Sequence, residues 1–205
     1  MPMPRVIAYI DGFNLYYGLR ANRWQRFYWL NLQRVAQNLL KPNQTLIEAK
    51  YFTSLVTSPL DKSRRQATFL EALGTLPALS IHYGHYLADT VVCRQCGHTY
   101  TTHHEKMTDV NIATEMLSDA FTDRFDTALL CSADSDLVAP VQQVRQLFPD
   151  KRVIVVFPPA RHSNALKQVA HACLHLDRAT LAKSVFPDQV VKPDGFVLHR
   201  PADWR

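Results

Sequence analysis

No stretch of this sequence approaches the roughly 20 consecutive apolar residues that a membrane-spanning helix needs. The start, Met1 to Arg5, leads into an apolar run too short for the core of a secretory signal peptide. Cysteine is scarce as well, with four in 205 residues, so a disulfide scaffold is not expected. These absences predict a cytoplasmic protein that does not associate with a membrane.

Two phosphate-binding motifs are also absent. The sequence contains neither G-x-x-x-x-G-K-[ST] nor G-x-G-x-x-G, which removes the main support for a P-loop or a Rossmann cofactor site. A phosphoaspartate phosphatase is disfavoured too, because Phe13 stands where a second Asp is expected two positions after Asp11.

The composition is that of an ordinary globular protein. Its 47% apolar, 20% charged and 10% aromatic residues exclude a disordered, collagen-like or coiled-coil chain. The length suits one large domain rather than two. A formal net charge of +5 favours polyanionic partners without identifying one.

Short β-branched apolar runs alternate with segments of helical spacing, a pattern that predicts an α/β fold with helices on both faces of a mostly parallel sheet. Asn31 is predicted to cap the first of the helices. Strands are predicted over 6–10, 46–56, 79–87, 127–132, 152–157 and 173–176. Helices are predicted over 32–40, between Pro59 and Gly74, and over 109–121, 137–148, 163–172 and 178–186.

One domain is expected over residues 1–186, with an insertion at 88–105 that is rich in cysteine and histidine. After Pro187 the composition changes, and the turn Pro193-Asp194-Gly195 separates two short apolar segments. Residues 187–205 are therefore predicted to form a C-terminal arm or hairpin.

Carboxylates follow two of the predicted strands. Asp11 comes after the strand 6–10, and Asp134 and Asp136 come after the strand 127–132. The carboxyl ends of parallel strands meet at one edge of the sheet, where open α/β folds bind ligands. Two carboxylates about 4 Å apart repel by roughly 4 kcal/mol at an effective dielectric of about 20. A hard cation, Mg²⁺ or Mn²⁺, is expected there, with Asp109 as a third contributor, although each Asp alone also fits a helix cap.

Three segments carry a resemblance to a known family. They are Tyr9-Ile10-Asp11-Gly12-Phe13-Asn14-Leu15, Glu105-Lys106-Met107-Thr108-Asp109-Val110 and Leu130-Cys131-Ser132-Ala133-Asp134-Ser135-Asp136-Leu137. In this order they resemble the signature blocks of NYN domains, members of the PIN-like nuclease superfamily. The resemblance implies a PIN-like, Rossmann-like three-layer fold and a Mg²⁺ or Mn²⁺ centre that cleaves RNA. It carries over Asp11, Asn14, Asp109, Asp134 and Asp136 as the acidic centre, and Ala133 stands where the family has Gly.

The residues of this centre are assigned roles from their chemistry. Asp11, Asp109 and Asp134 are expected to hold the ion, which would polarise a phosphate and activate a water molecule. Asp136 would orient that water or a second ion. Asn14 would hold a ligand carboxylate or a phosphate oxygen.

Substrate binding is expected from two segments. Tyr17, Arg20 and Arg23 belong to an aromatic and arginine-rich stretch that can form a platform for single-stranded RNA. About half of its rings are expected to be buried in the core instead. Arg161 and Ser163 lie at a predicted helix start, where Ser163 also fits a cap. The rings of the first segment are Phe13, Tyr16, Tyr17, Trp24, Phe27, Tyr28 and Trp29.

A second metal site is suggested by the turn Cys93-Arg94-Gln95-Cys96-Gly97. Cys93 and Cys96, together with His98 and His103, have the donor types and spacing of a zinc site. Only half of such a site is present as cysteines, so a reduced pair that shapes the loop is the alternative. Cys131 and Cys173 lie in apolar segments and are expected in the core.

Two other functions compete with RNA hydrolysis. One is a non-catalytic RNA-binding or adaptor module, which the crowded carboxylates disfavour because they repel phosphate. The other is a metal-dependent nucleotide-sugar transferase, for which Asp134-Ser135-Asp136 after a strand would be the motif. That reading leaves Asp11 and Asp109 unused. A homo-oligomer is left open.

Overall fold

The computed structural model describes residues 3–92 and 95–205, with backbone alone over 85–92 and 100–106. Within these residues the strands are β1 (Arg5–Asp11), β2 (Thr45–Thr53), β3 (Leu79–Tyr83), β4 (His85–Val92), β5 (Thr99–Lys106), β6 (Thr127–Cys131), β7 (Arg152–Phe157), β8 (Ala172–His175), β9 (Gln189–Val191) and β10 (Val197–His199). The helices are α1 (Gly12–Ala21), α2 (Leu32–Asn38), α3 (Leu60–Leu73), α4 (Thr108–Phe121), α5 (Val138–Leu147), α6 (Asn164–Val169) and α7 (Arg178–Lys183).

The centre of the fold is a parallel sheet, with six strands in the described part of the chain, in the order β3-β2-β1-β6-β7-β8. Its pairings β1 with β2, β1 with β6, β2 with β3, β6 with β7 and β7 with β8 are all parallel. The chain builds outward from β1 to β3 on one side and from β6 to β8 on the other. The strand order therefore reverses between β1 and β6, which is the switch point where such sheets bind ligands.

Helices cover both faces of this sheet, so the protein has three layers. Successive residues of β1 are buried on opposite faces, because strand side chains alternate: Val6, Ala8 and Ile10 join one core, and Ile7 and Tyr9 the other. The first core also receives side chains from α1, α2, α3 and α7, and the second from α4, α5 and α6. The α/β fold predicted from the sequence is confirmed.

Several predicted boundaries shift. The strand predicted over 79–87 ends at Tyr83, and β4 then pairs with β5 as an antiparallel hairpin within the expected insertion. Helix α6 begins after Ser163, whose hydroxyl accepts a hydrogen bond from the Leu166 amide and caps it. Both α6 and α7 are shorter than predicted. Asn31 caps α2 as expected, by accepting from the Arg34 amide at 2.8 Å.

Helix α4 presents a different apolar face from the one its spacing suggests. Val110 and Phe121 are 60% and 67% exposed, whereas Ile112, Met116 and Ala120 are buried against the sheet. The buried face also contains a polar residue that the apolar spacing does not show, Asp119, which forms an ion pair with Lys50 of β2. No helix in the described part of the chain is long and apolar enough to cross a bilayer.

The C-terminal residues fold back onto the domain. Strands β9 and β10 pair as an antiparallel hairpin, as the turn at Pro193 predicts. The Arg200 guanidinium then donates to the carbonyl oxygens of Arg26 and Trp204. These contacts place Trp204 against the rings of Tyr28 and Phe69.

Candidate active site

Asp11 ends β1 and precedes α1, and its side chain is held from three directions. Its Oδ1 accepts a hydrogen bond from the Asn14 amide at 3.0 Å, which caps α1. Its Oδ2 accepts from the Asn14 Nδ2 at 2.8 Å and from the Ser132 hydroxyl at 2.8 Å. Only 2% of Asp11 is exposed. The carboxylate is therefore fixed in one orientation at the switch point of the sheet.

Ser132 connects the ends of β1 and β6. Besides donating to Asp11, its hydroxyl accepts a hydrogen bond from the Asp134 amide at 3.0 Å. Asn14 adds a second connection, because its Oδ1 accepts from the Ala133 amide at 3.3 Å. The Asn14 and Ser132 side chains thus join the two loops that carry the carboxylates. The sequence predicted a role for Asn14 here but not for Ser132.

Asp134 and Asp136 lie in the turn after β6. The Oδ1 of Asp134 accepts from the Asp136 amide at 3.0 Å and so begins a short 3-10 turn. Asp134 thus acts as a cap, as any single Asp after a strand can. Its second oxygen, Oδ2, has no protein hydrogen bond among the contacts that the structure describes. Asp136 is exposed.

Asp109 lies in the first turn of α4 and is half-buried. Partial burial raises its pKa to about 6, and the charges of Asp11, Asp134 and Asp136 add to this rise. Burial likewise raises the pKa of Asp11, and Asp134 contributes to it. These mutual effects indicate that the four carboxylates, distant in sequence, lie within reach of one another at one edge of the sheet.

The four carboxylates form no ion pair with a Lys or Arg among the side chains that the structure describes. The ion pairs that those Lys and Arg side chains form involve other acidic residues. A cluster of uncompensated carboxylates favours a bound cation.

The same described side chains contain no group of three or more Asp, Glu, His or Cys placed so that together they could hold a metal ion. This geometry does not fit a structural zinc site, which takes four tightly held ligands. It does fit Mg²⁺, which keeps several waters and commonly takes one or two carboxylates together with substrate phosphates. Asp11, Asp109 and Asp134 supply oxygen donors of the kind that Mg²⁺ and Mn²⁺ prefer.

The predicted substrate-binding residues fall into separate places. Arg161 lies over the ring of Tyr17, with its guanidinium carbon 6.0 Å from the ring centroid, and both residues are exposed. Arg20 lines a cavity beside α1. Arg23 is exposed in the turn after α1. Ser163 serves as the cap of α6, the alternative raised for it above.

The aromatic stretch is divided between core and surface. Phe27 and Trp29 are buried, and Tyr17 is 42% exposed. Phe13, Tyr16, Trp24 and Tyr28 are half-buried. The stretch is thus not a flat platform, because most of its rings contact the protein on one side.

The predicted zinc site lies partly outside the described residues. Cys93 lies outside the described residues, as does the side chain of His103, whereas Cys96 and His98 are exposed. Elsewhere, Cys131 is buried, and burial raises its pKa to about 12, as expected of a core thiol. Cys173 is only half-buried and packs at the edge of the core formed with α4, α5 and α6.

The chain is similar to known proteins in both sequence and fold. The family model of the NYN domain matches residues 5–177. The chain is 27% identical to 6-hydroxy-3-succinoylpyridine 3-monooxygenase of Pseudomonas putida, over 75% of this chain and 59% of that protein, so it spans about three-fifths of that relative's length. A crystal structure of a protein of unknown function from Vibrio parahaemolyticus is similar with a TM-score of 0.58 at 20% identity, over 90% of this chain and 98% of that one. This last likeness is one of fold.

Proposed function

The chain belongs to the NYN domain family, within the PIN-like nuclease superfamily, and from this premise we propose that it is a metal-dependent ribonuclease. The observation that supports the proposal is the placement of Asp11 and Asp134 at the ends of the paired strands β1 and β6, joined through the Ser132 hydroxyl, with Asp109 of α4 near enough for its pKa to respond to both charges. The reaction proposed is hydrolysis of an RNA phosphodiester bond.

In this proposal Asp11, Asp109 and Asp134 would hold Mg²⁺ or Mn²⁺, two of them as direct ligands and the third through a coordinated water. When bound, such an ion neutralises charge on the phosphate and lowers the pKa of a coordinated water. The chain's own residues do the rest. Asp11 is kept in place by the hydrogen bonds from Asn14 and Ser132, so it does not need to reorganise when the substrate arrives.

Asp136 is proposed to orient the attacking water, since it is exposed at the rim of the cluster. Asn14 and Ser132 are positioning residues, because each contacts a proposed ligand rather than the phosphate. RNA is the proposed partner, and the net charge of +5 favours its approach.

The activity in the name of the Pseudomonas putida relative is not transferred here. That name describes oxygenation of a pyridine compound, and the sequence similarity is partial. A non-catalytic RNA-binding module and a nucleotide-sugar transferase are the competing functions. Each predicts a different outcome when the chain is tested with RNA and metal ions.

The test uses the purified chain with labelled single-stranded RNA, structured RNA and single-stranded DNA, each with Mg²⁺, Mn²⁺ or a chelator. We expect RNA to be cleaved with Mg²⁺ or Mn²⁺ and to remain intact with the chelator. RNA that is bound but never cut with either ion would favour the binding module. A thermal shift with sugar nucleotides, without cleavage, would favour the transferase.

A further inference from the structure

A cavity of about 510 Å³ opens next to the acidic centre. Gly12 and Phe13, which directly follow Asp11, line it, as does Thr53 at the end of the neighbouring strand β2. The cavity therefore lies beside the end of β1 that carries Asp11. Its other walls come from α1, from α3 and from the residues after β10.

Aromatic residues that are only partly buried line this cavity. Tyr16, Tyr28, Phe69 and Trp204 are each half-buried. Tyr28 lies 5.0 Å from Tyr16 between ring centroids, and it meets Trp204 edge to face at 5.7 Å. Phe69 also meets Trp204 edge to face, at 6.1 Å. Rings held in this way offer stacking surfaces to a planar ligand.

Basic side chains stand at the entrance. Arg20 and Lys62 line the cavity and are exposed, and neither forms an ion pair with an acidic side chain that the structure describes. Arg65 lies deeper and pairs with Asp203 at 2.6 Å. The lining thus has two cations free to contact an anionic group. It also has polar side chains such as Gln66, although that amide already bonds to the backbone of Ser54 and Val56.

The volume limits what can enter. Cavities for single small ligands have about 300–1,000 Å³, so there is room for one nucleotide and none for a duplex. A nucleoside attached to phosphate has both features that this lining can bind. Its base is a planar ring for the aromatic residues, and its phosphate is a negative group for Arg20 and Lys62.

We propose that this cavity binds one nucleoside of a single-stranded RNA, with its base stacked against Tyr28 and Trp204 and its phosphate near Arg20 and Lys62. This proposal rests on the proposed function, because it places the neighbouring phosphate of the same strand at the acidic centre. It adds two statements to that function. The RNA must be unpaired at the nucleoside that enters the cavity, and Trp204 contacts the base of that nucleoside.

The same ring-and-anion chemistry occurs in free small molecules. A mononucleotide such as AMP, or a pyridine carboxylate such as nicotinate, has a planar heteroaromatic ring and a negative group. The experiment therefore compares three probes: a short single-stranded RNA, the same RNA with one abasic position, and each free molecule as a competitor.

Binding is measured by fluorescence anisotropy with a chelator present, so that no metal-dependent cleavage occurs. The variants are Trp204→Ala, Trp204→Phe and Lys62→Gln. Their matched controls are Phe196→Ala, a 60% exposed ring outside the cavity, and Lys41→Gln, an exposed lysine that precedes β2 at the opposite edge of the sheet. Thermal midpoints establish that each variant is folded.

We expect Trp204→Ala to weaken RNA binding about tenfold, the effect of losing one stacked base, and Trp204→Phe to restore most of it. Lys62→Gln should weaken binding uniformly across sequences and lower the slope of log K against log salt by about one. The abasic RNA should bind more weakly than the intact RNA to the unaltered chain, with a smaller difference in Trp204→Ala.

The proposal is overturned if RNA affinity is the same in Trp204→Ala and Lys62→Gln as in their controls, or if the abasic position makes no difference. It is also overturned if AMP or nicotinate binds in a Trp204-dependent manner while RNA binding does not depend on Trp204. Failure of the proposed function gives another result: these binding effects persist, but no RNA is cleaved with Mg²⁺ or Mn²⁺.

Discussion

Replacing Asp11 with Asn is expected to reduce metal-dependent RNA cleavage by about a thousandfold or more, because an ion at a phosphate contributes several kcal/mol and about 1.4 kcal/mol is tenfold in rate. Asp11 is the residue to replace because hydrogen bonds from Asn14 and Ser132 hold both of its carboxylate oxygens in place. The variant should fold, since the Asn side-chain oxygen can still accept from the Asn14 backbone amide, and the Ser132 hydroxyl can accept from its Nδ2. Cleavage rates at saturating Mg²⁺ or Mn²⁺, with circular dichroism, measure both expectations.

The control is Asp150→Asn, which makes the same change of side chain at an exposed position in the loop after α5. It should cleave RNA at the rate of the unaltered chain. If Asp11→Asn cleaves as fast as Asp150→Asn, the carboxylate of Asp11 has no role in the reaction.

Replacing Asp119 with Ala is expected to lower the free energy of unfolding by about 3 kcal/mol, the lower end of the effect of removing one partner of a buried ion pair, because Lys50 keeps Glu115 as a second partner. Lys50 is 2% exposed, and its Nζ lies 2.6 Å from the Asp119 Oδ2. The buried Tyr9 hydroxyl donates to the same oxygen at 2.7 Å. The Tyr9 hydroxyl would lose its acceptor inside the core, and Lys50 would keep only Glu115, whose Oε2 lies 2.6 Å from the Lys50 Nζ. Urea unfolding followed by tryptophan fluorescence measures the change.

An exposed ion pair provides the comparison. Asp194 is 3.7 Å from Lys192, and its side chain is 63% exposed. Asp194→Ala should change the free energy of unfolding by no more than about 1 kcal/mol, because solvent screens such pairs. If the two variants lose similar stability, Lys50 and Asp119 do not form the critical buried pair described above.

The central strands could be predicted from the sequence because parallel strands covered on both faces appear as continuous apolar runs. Thus β1, β6 and β7 lie close to their predicted positions. Helix α1 was not predicted, since glycines lower helix propensity. Its Gly12 and Gly18 serve close packing instead: a Cβ there would lie 2.6 Å from the Phe52 carbonyl oxygen and 2.4 Å from that of Pro159.

The sequence predicts those residues of the candidate site that lie at the ends of strands. Asp11 and Asp134 follow strands that turned out to be neighbours, so their proximity follows from topology. The hydrogen bonds of Ser132 do not follow from any local pattern, although it stands in the same segment as Asp134. Trp204 lay beyond prediction for a different reason, because its place beside Tyr28 depends on how the C-terminal residues pack across the domain.

The most direct test of the account is anomalous X-ray diffraction from crystals of the chain soaked in Mn²⁺, with Asp11→Asn crystals as the comparison. We expect an anomalous peak for Mn²⁺ at the switch point of the sheet, with carboxylates of at least two of Asp11, Asp109 and Asp134 bound to the ion. The peak should be lost in Asp11→Asn. A saturating soak that gives no peak there, or a peak only at other acidic residues, would contradict it.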